Sequence, residues 1–229
     1  MNIFPENIST YGQQIDDLFY LICIISGLAF IITLIVMFYP LFKYSSKKGV
    51  KAEYIKGSNT KQLKWIILSM SILAIADFYI LFVEHSTWAE VEEKENWQDD
   101  KNAFKVGISG RQWSWTITYP GPDGELYTGD DVLATNDLHV PINTIVHIDI
   151  MALDVVHSVF FPNIRLKQDA LPGRTIKRWF EVTKEGRYDI SCAEICGIGH
   201  SMMKGTLIVD SKEKHKEFLN ELYKQNINR

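Results

Sequence analysis

Residues 192–203 read CAEICGIGHSMM and place two thiols (Cys192, Cys196), an imidazole (His200) and a thioether (Met203) within twelve positions. These are soft and borderline ligands, of the kind that select copper over calcium or magnesium. On a helix their offsets of 0, 4, 8 and 11 would form one narrow stripe, so an amphipathic helix with a buried Cys/Met face is the plain alternative. Gly197 and Gly199 argue against it. Each glycine costs about 1 kcal/mol relative to alanine inside a helix, whereas it suits a loop folded tightly around an ion. Outside the cytosol a Cys-x3-Cys pair is as readily a disulfide. On this stretch alone, disulfide and metal site stand as equal alternatives.

A second stretch, HSVFFPNIRLKQDALPGR at 157–174, sets His157 three residues after Asp154 in an otherwise apolar strand. With the two stretches together, the chain resembles subunit II of the haem–copper oxygen reductases, the cytochrome c oxidases. In that family Cys-x-Glu-x-Cys-x3-His-x2-Met and an upstream Asp-x2-His build the dinuclear copper centre CuA. The resemblance, which covers nearly the whole chain, implies that His157, Cys192, Cys196, His200 and Met203 are the side-chain ligands. It implies that Glu194 binds copper through its backbone carbonyl, and that its carboxylate turns toward a magnesium ion shared with subunit I. GRQWSW at 110–115 matches the family's aromatic stretch, so the role of accepting the electron from cytochrome c falls on Trp113. The plain reading is that Trp113 and Trp115 are both core aromatics. Where the family often has a further aromatic, Ser114 stands here. Asp154 is expected to hydrogen-bond near a ligand imidazole as an outer residue of the site, with a strand-end cap as the alternative.

Outward from these motifs, the 229 residues carry a net charge of −4 and segregate strongly in polarity. Leu18–Phe42 is 25 residues without a charge, long enough to cross the roughly 30 Å hydrocarbon layer as a helix. Trp65–Val83 is 19 residues whose single charge is Asp77, and it is expected to be the second span. An ionisable group at that depth is expensive, so Asp77 should face a partner helix or a wet cavity. Residues 1–17 contain Glu6, Asp16 and Asp17 but no Lys or Arg, which argues against a cleaved signal peptide. The loop at 43–64 holds Lys43, Lys47, Lys48, Lys51, Lys56, Lys61 and Lys64 against Glu53, so it should stay in the cytoplasm, with both termini on the outer side. STYGQQIDDLF at 9–19 resembles the segment that leads into the first span of bacterial members of the family. The family commonly has a glutamate linked to a proton entrance just before span two; Gln62 stands there and cannot titrate. Cys23 lies mid-span as a small apolar packer, and the absence of Cys-x2-Cys-His excludes a fused c-type haem.

Residues 84–103, with Glu84, Glu90, Glu92, Glu93, Glu95, Asp99 and Asp100, read as an acidic, solvated linker. From Phe104 the pattern becomes β-rich, with runs at 104–118, 138–150, 155–161, 174–182, 187–191 and 205–209. Val146, Ile148 and Ile150 alternate with Ile145, His147 and Asp149, the mark of strands with one buried face. YPGPDGELYTGDD at 119–131 is saturated with turn residues and reads as a surface loop. Short strands over 104–210 suggest a β-sandwich, and the resemblance makes it a cupredoxin. In the tail at 211–229, Phe218, Leu219, Leu222 and Tyr223 share a helical stripe. The expected fold is thus mainly β with an α membrane anchor: outer segment 1–17, transmembrane hairpin 18–83, linker, cupredoxin-like sandwich and short C-terminal helix.

The resemblance implies the electron-input subunit of a bacterial terminal oxidase, held in the cell membrane with a haem-bearing subunit I and a subunit III, the haems residing only in partners. From Glu84 onward 23 acidic residues face 17 basic ones, a balance that would steer a basic donor such as cytochrome c rather than nucleic acid. Asp130, Asp131, Asp137 and Asp169, in or beside loops, are the candidate docking carboxylates. The alternatives are the copper subunit of a nitric oxide reductase of the same superfamily and a membrane-tethered copper-binding or disulfide-bonded protein without catalysis.

Overall fold

A 30 Å apolar layer and a two-sheet sandwich impose different rules on the chain, and the computed structural model separates the two regimes. It describes residues 4–46, 49, 51, 54, 56–93 and 102–227. Lys47, Lys48, Glu53, Glu95, Asp99 and Asp100 lie outside the described residues, as do the side chains of Gln62, Glu90, Glu92 and Glu93. Residues 14–90 form one compact unit and residues 1–13 with 91–229 the other.

The first unit contains helices α1 (Gly12–Lys43) and α2 (Thr60–Glu93). Both are long and apolar enough to cross a membrane. Their apolar residues surround each helix, with Phe30, Ile35, Val36, Ile75, Phe78 and Phe82 all exposed, as expected of helices whose solvent is lipid. Hydroxyls that would be orphaned there bond back to the preceding turn: Thr33 Oγ1 donates to the Ala29 carbonyl, Ser71 to Ile67, and Ser86 and Thr87 to Val83. Asn59 caps α2 by accepting from the Lys61 N–H. Pro40 lies one turn from the end of α1, and the helix runs only three residues beyond it. Asp77 is exposed on α2 with no hydrogen bond or ion pair among the described residues. The helix continues well past Val83, because no glycine or proline interrupts residues 84–93.

Among the described residues, the second unit holds ten strands: β1 (Phe104–Arg111), β2 (Ser114–Tyr119), β3 (Val132–Thr135), β4 (Asp137–Pro141), β5 (Ile145–Ala152), β6 (His157–Phe161), β7 (Leu166–Ala170), β8 (Ile176–Glu181), β9 (Gly186–Cys192) and β10 (Lys204–Asp210), followed by helix α3 (Lys212–Ile227). One sheet runs β3-β2-β1-β5-β8 and the other β4-β10-β9-β6-β7, a cupredoxin-like sandwich. The long runs at 104–118 and 138–150 are each two strands. Gln112 and Trp113 turn the first, and Asn143, with φ of 51°, lies in the turn of the second. The core interdigitates Val106, Ile108, Ile117, Val146, Ile148, Ile150 and Phe180 of one sheet with Leu138, Val140, Val159, Phe161, Ile190 and Leu207 of the other, all buried.

The alternation along β5 anticipates one buried face, yet His147 and Asp149 are buried as well. Elements remote in sequence cover that side. Trp179, paired with His147 in the sheet, meets the Tyr11 ring edge-on at 5.3 Å and donates from Nε1 to the Val91 carbonyl at 2.6 Å. The Tyr127 hydroxyl lies over Gly107 of β1. Residues 5–10 add an edge to the sandwich: Ser9 bridges Val182, the Ile8 N–H donates to the Asn163 carbonyl, and Thr183 N–H donates to Ile8.

Helix α3 closes the end of the sandwich remote from residue 192. Phe218 stacks on His139 at 3.8 Å, and Tyr223 donates its hydroxyl proton to the Pro120 carbonyl. His215 is buried edge-on against Phe104. Burial, and more weakly the positive potential of His139, pull its pKa down to about 4, while a hydrogen bond to the His139 backbone and the charge of Asp210 oppose the shift. Between pH 6.5 and 4 the unfolded chain therefore binds a proton that the folded chain refuses, and stability falls as pH falls through that window. Thermal unfolding of the detergent-solubilised chain followed from pH 7 to 4 should show this loss. His215→Gln should flatten the profile across the same interval.

Candidate metal centre

Strand β9 ends at Cys192 and β10 begins at Lys204, and the antiparallel pairing of Ser191 with Lys204 brings both ends of the intervening loop together. The Cys192 N–H donates to the Met203 carbonyl and the Ala193 N–H to Ser158 on β6. Inside the loop only one 3₁₀ turn forms, His200–Met202. Gly197 has φ of +121°, a backbone conformation that side-chain-bearing residues rarely adopt. This is why the cysteine, histidine and methionine positions do not form a helical stripe.

The loop and the start of β6 converge on one cluster. The sulfurs of Cys192 and Cys196 are 3.7 Å apart, unbonded. His157 Nδ1 lies 3.9 Å from Cys192 Sγ, and His200 Nδ1 lies 3.7 Å from Cys196 Sγ. Met203 Sδ is 3.8 Å from Cys196 Sγ, and the Glu194 carbonyl oxygen is 3.2 Å from Cys192 Sγ. The ligand atoms of His157, Cys192 and Cys196 all lie within 4.8 Å of one another. A metal about 2.0 Å from a nitrogen and about 2.3 Å from a sulfur holds those two atoms about 3.5 Å apart at the tetrahedral angle and about 3.9 Å apart when the angle opens to about 130°. The donor set therefore fits metal, and its softness fits copper.

The imidazole of His157 is oriented for that task. Its Nε2 is 2.8 Å from Asp154 Oδ1, so a proton on Nε2 leaves the Nδ1 lone pair facing Cys192. Asp154 also accepts from the backbone N–H groups of Gln112 and Val155, at 2.8 and 2.7 Å. Burial opposes its ionisation, but these hydrogen bonds and His157 prevail and hold its pKa at about 2. Burial, with Cys192 beside it, pushes the Cys196 thiol well above its ordinary value.

The two tryptophans separate. Trp115 is fully buried, its ring edge-on to His157 at 6.0 Å. Trp113 is 43% exposed and lies against the loop, so close that a Cβ on Gly199 would fall 2.4 Å from its ring. Among the aspartates, Asp137 and Asp169 pair with Thr206 and Ser158, near the metal end of the sandwich. Asp130 and Asp131 lie by the Tyr119–Val132 end, about 17 Å away along β2 at about 3.4 Å per residue. There they accept from Thr128 Oγ1 and the Tyr127 N–H and brace the 120–131 loop. Cys23 is exposed on α1. Two contributors carry no sequence signal of their own. Gln112 reaches the Cys196 carbonyl with its side chain. Gly110 leaves room for His157, since a Cβ there would lie 2.9 Å from Cδ2 of the imidazole.

Residues 104–211 match the family described as cytochrome c oxidase subunit II, periplasmic domain. The "alternative cytochrome c oxidase subunit 2" of Bradyrhizobium diazoefficiens is 28% identical over 93% of this chain and 82% of its own length. Residues 104–211 belong to the cytochrome c oxidase subunit II family. Subunit 2 of the Cereibacter sphaeroides oxidase is 26% identical over 95% of this chain and 79% of that protein, so the relationship extends through both helices. The Thermostichus vulcanus subunit 2 is 39% identical over 47% of this chain and 30% of its own. Among solved structures, the periplasmic domain of subunit II of cytochrome oxidase from Bradyrhizobium japonicum covers 55% of this chain with a TM-score of 0.49 and 24% identity. As a subunit II, the protein is a membrane-anchored part of a multi-subunit cytochrome c oxidase, with a cysteine–histidine cluster consistent with copper.

The clearance at Gly110 makes the site testable from outside the ligand set. In Gly110→Ala the added methyl meets both the His157 ring and Trp115, so copper bound per purified chain should fall severalfold while the far-ultraviolet circular dichroism of the sandwich is retained.

Proposed function

We propose that this subunit II receives single electrons from a cytochrome c at a dinuclear CuA centre and passes them to haem in subunit I, where oxygen is reduced to water with proton translocation. The observation that carries the reading is the doubling of the donor set. Two sulfurs in contact each have their own imidazole nitrogen, 3.9 and 3.7 Å away, which suits two metals sharing two thiolates. His157, Cys192, Cys196, His200 and Met203, with the Glu194 carbonyl, would hold the pair. When bound, the copper pair would supply a one-electron relay.

The protein's contribution is rigidity and access. His157 and Cys192 lie on strands β6 and β9 of one sheet, the β9–β10 pairing closes the loop that carries Cys196, His200 and Met203, and Asp154 holds His157 in a single tautomer, so the donor atoms have little freedom to rearrange when charge changes. Trp113, half-exposed over the ligand loop, is the surface group through which the electron arrives. Asp137 and Asp169, at the same end, are the carboxylates we assign to docking of a basic donor; Asp130 and Asp131 would add to the field from farther away. The Glu194 carboxylate is assigned to a magnesium ion shared with subunit I.

The anchoring reading rests on the N-terminal segment. Residues 5–11 are folded into the sandwich, and the chain re-enters the same unit at Val91. A chain that leaves and returns to one side crosses a membrane an even number of times, which supports two crossings by α1 and α2 in the bacterial cell membrane, the sandwich outside. Asp77, lacking a partner among the described residues, would be met by a helix of subunit I or III, relieving a cost of roughly 2.5–3.5 kcal/mol on insertion scales.

Metal analysis and electron paramagnetic resonance of the purified complex test the centre itself: two coppers per chain at this site and a spectrum of one unpaired electron shared between them are expected, and a single localised copper would overturn the dinuclear reading. Trp113→Phe should slow electron input from cytochrome c by at least severalfold and leave that spectrum intact. Loss of copper in the same variant would instead make Trp113 a structural residue.

A further inference from the structure

The β1–β2 turn touches both halves of the metal cluster through one residue. The backbone N–H of Gln112 donates to Asp154 Oδ2 at 2.8 Å, and Asp154 in turn holds His157. The side-chain Nε2 of Gln112 donates to the Cys196 carbonyl, also at 2.8 Å. Its neighbour Trp113 lies against Gly197 and Gly199, where an added Cβ would fall 3.3 Å from the indole Nε1 and 2.4 Å from the ring. These contacts close a circuit: ligand loop to Gln112, Gln112 to the aspartate behind His157, and Gln112 through one peptide bond to the indole that covers the loop. We infer that Gln112 is a positioning residue, whose carboxamide pins the Trp113 ring to the ligand loop and so fixes the distance between the indole and Cys196.

The physical case is one of competing freedoms. Trp113 is on a two-residue turn, is 43% exposed, and stands over glycines that offer it a flat surface but no side chain to grip. Dispersion against a glycine backbone is not directional, so it does not by itself choose one ring position. A hydrogen bond is directional, and the one from Gln112 is anchored on the carbonyl of a ligand residue rather than on a mobile surface group. Losing such a bond changes a conformational population by about two- to tenfold. Any electron-input rate that depends on where the indole stands should fall by the same factor. Binding of the donor, which senses the outer surface, should not.

The inference concerns the position of Trp113, and its consequence for rate rests on the function proposed above, so the test separates the two. The full chain is labelled with 5-fluorotryptophan, the Trp113 resonance is assigned by its disappearance in Trp113→Phe, and fluorine spectra are compared in Gln112→Leu, which keeps the backbone donor to Asp154 and removes only the carboxamide. The Trp113 resonance should shift or broaden while those of the other tryptophans stay in place. In the assembled oxidase, kcat with cytochrome c should fall about two- to tenfold at unchanged KM and unchanged copper spectrum. Gly199→Ala, whose added methyl would fall 2.4 Å from the ring, should displace the same resonance. An unmoved Trp113 resonance in Gln112→Leu, or a change confined to KM, overturns the positioning role. A displaced resonance with wild-type kcat leaves that role standing and removes Trp113 from the electron route.

Discussion

Two soft sulfurs, two imidazoles and a thioether can share one small volume only if the backbone carrying them is closed at both ends, and the β9–β10 pairing supplies that closure. Cys192 is the last residue of one strand and Met203 the residue before the next, with the Cys192 N–H bonded to the Met203 carbonyl. Once those ends are joined, the eleven residues from Ala193 to Met203 must double back within a few ångströms, and the positive φ of Gly197 makes that possible. The remaining ligand arrives through sheet topology. Strand β6 pairs with β9 at Val159 and Cys192, which puts His157 beside the first cysteine although 35 residues separate them.

The same closure explains why the surroundings are so intolerant of volume. Gly110 on β1 faces the His157 ring, Gly199 faces the Trp113 ring, and Gly197 faces both Gln112 and Trp113. Three absent side chains therefore shape the site as much as the ligands do. Polar groups fill the remaining directional needs: Asp154 collects an imidazole and two backbone N–H groups, and Gln112 spans the gap between the two ligand segments. The outcome is a cluster with His157 and Cys192 seated on strands and its other donors on a loop closed at both ends by the sheet.

At the other end the chain solves a different problem. Helix α3 covers the mouth between the sheets with Phe218 and the uncharged His215, and loop 120–131 is braced by its own aspartates. The outer face of β5 is sealed by Trp179, Tyr11 and Val91, drawn from three distant parts of the sequence. That seal joins Tyr11 to the sandwich, to which Ile8, Ser9 and Thr10 are also bonded, so this segment is a structural part of the unit.

What the sequence by itself determined is whatever is local or periodic. The two apolar stretches announce helices because lipid demands uninterrupted apolarity, the alternation along β5 announces a strand, and the glycines among Cys192, Cys196, His200 and Met203 argue for a loop over a helix, with disulfide and metal site both open until His157 is set beside them. Trp113 was distinguishable from Trp115 only through resemblance, since both occupy the same apolar pattern two residues apart. Tertiary structure alone decided which of them is exposed, that Gln112 reaches the Cys196 carbonyl, and that Asp130 and Asp131 stand at the far end from the cluster. It alone decided that His147 and Asp149 are covered, and that residues 5–10 form an edge of the sandwich. The physical reason is common to all of these. Each depends on contacts between separate segments, 84 residues apart for Gln112 and Cys196 and 175 for Ile8 and Thr183, whose closeness is set by strand order and register, and neither leaves a trace in the period of a short stretch of sequence.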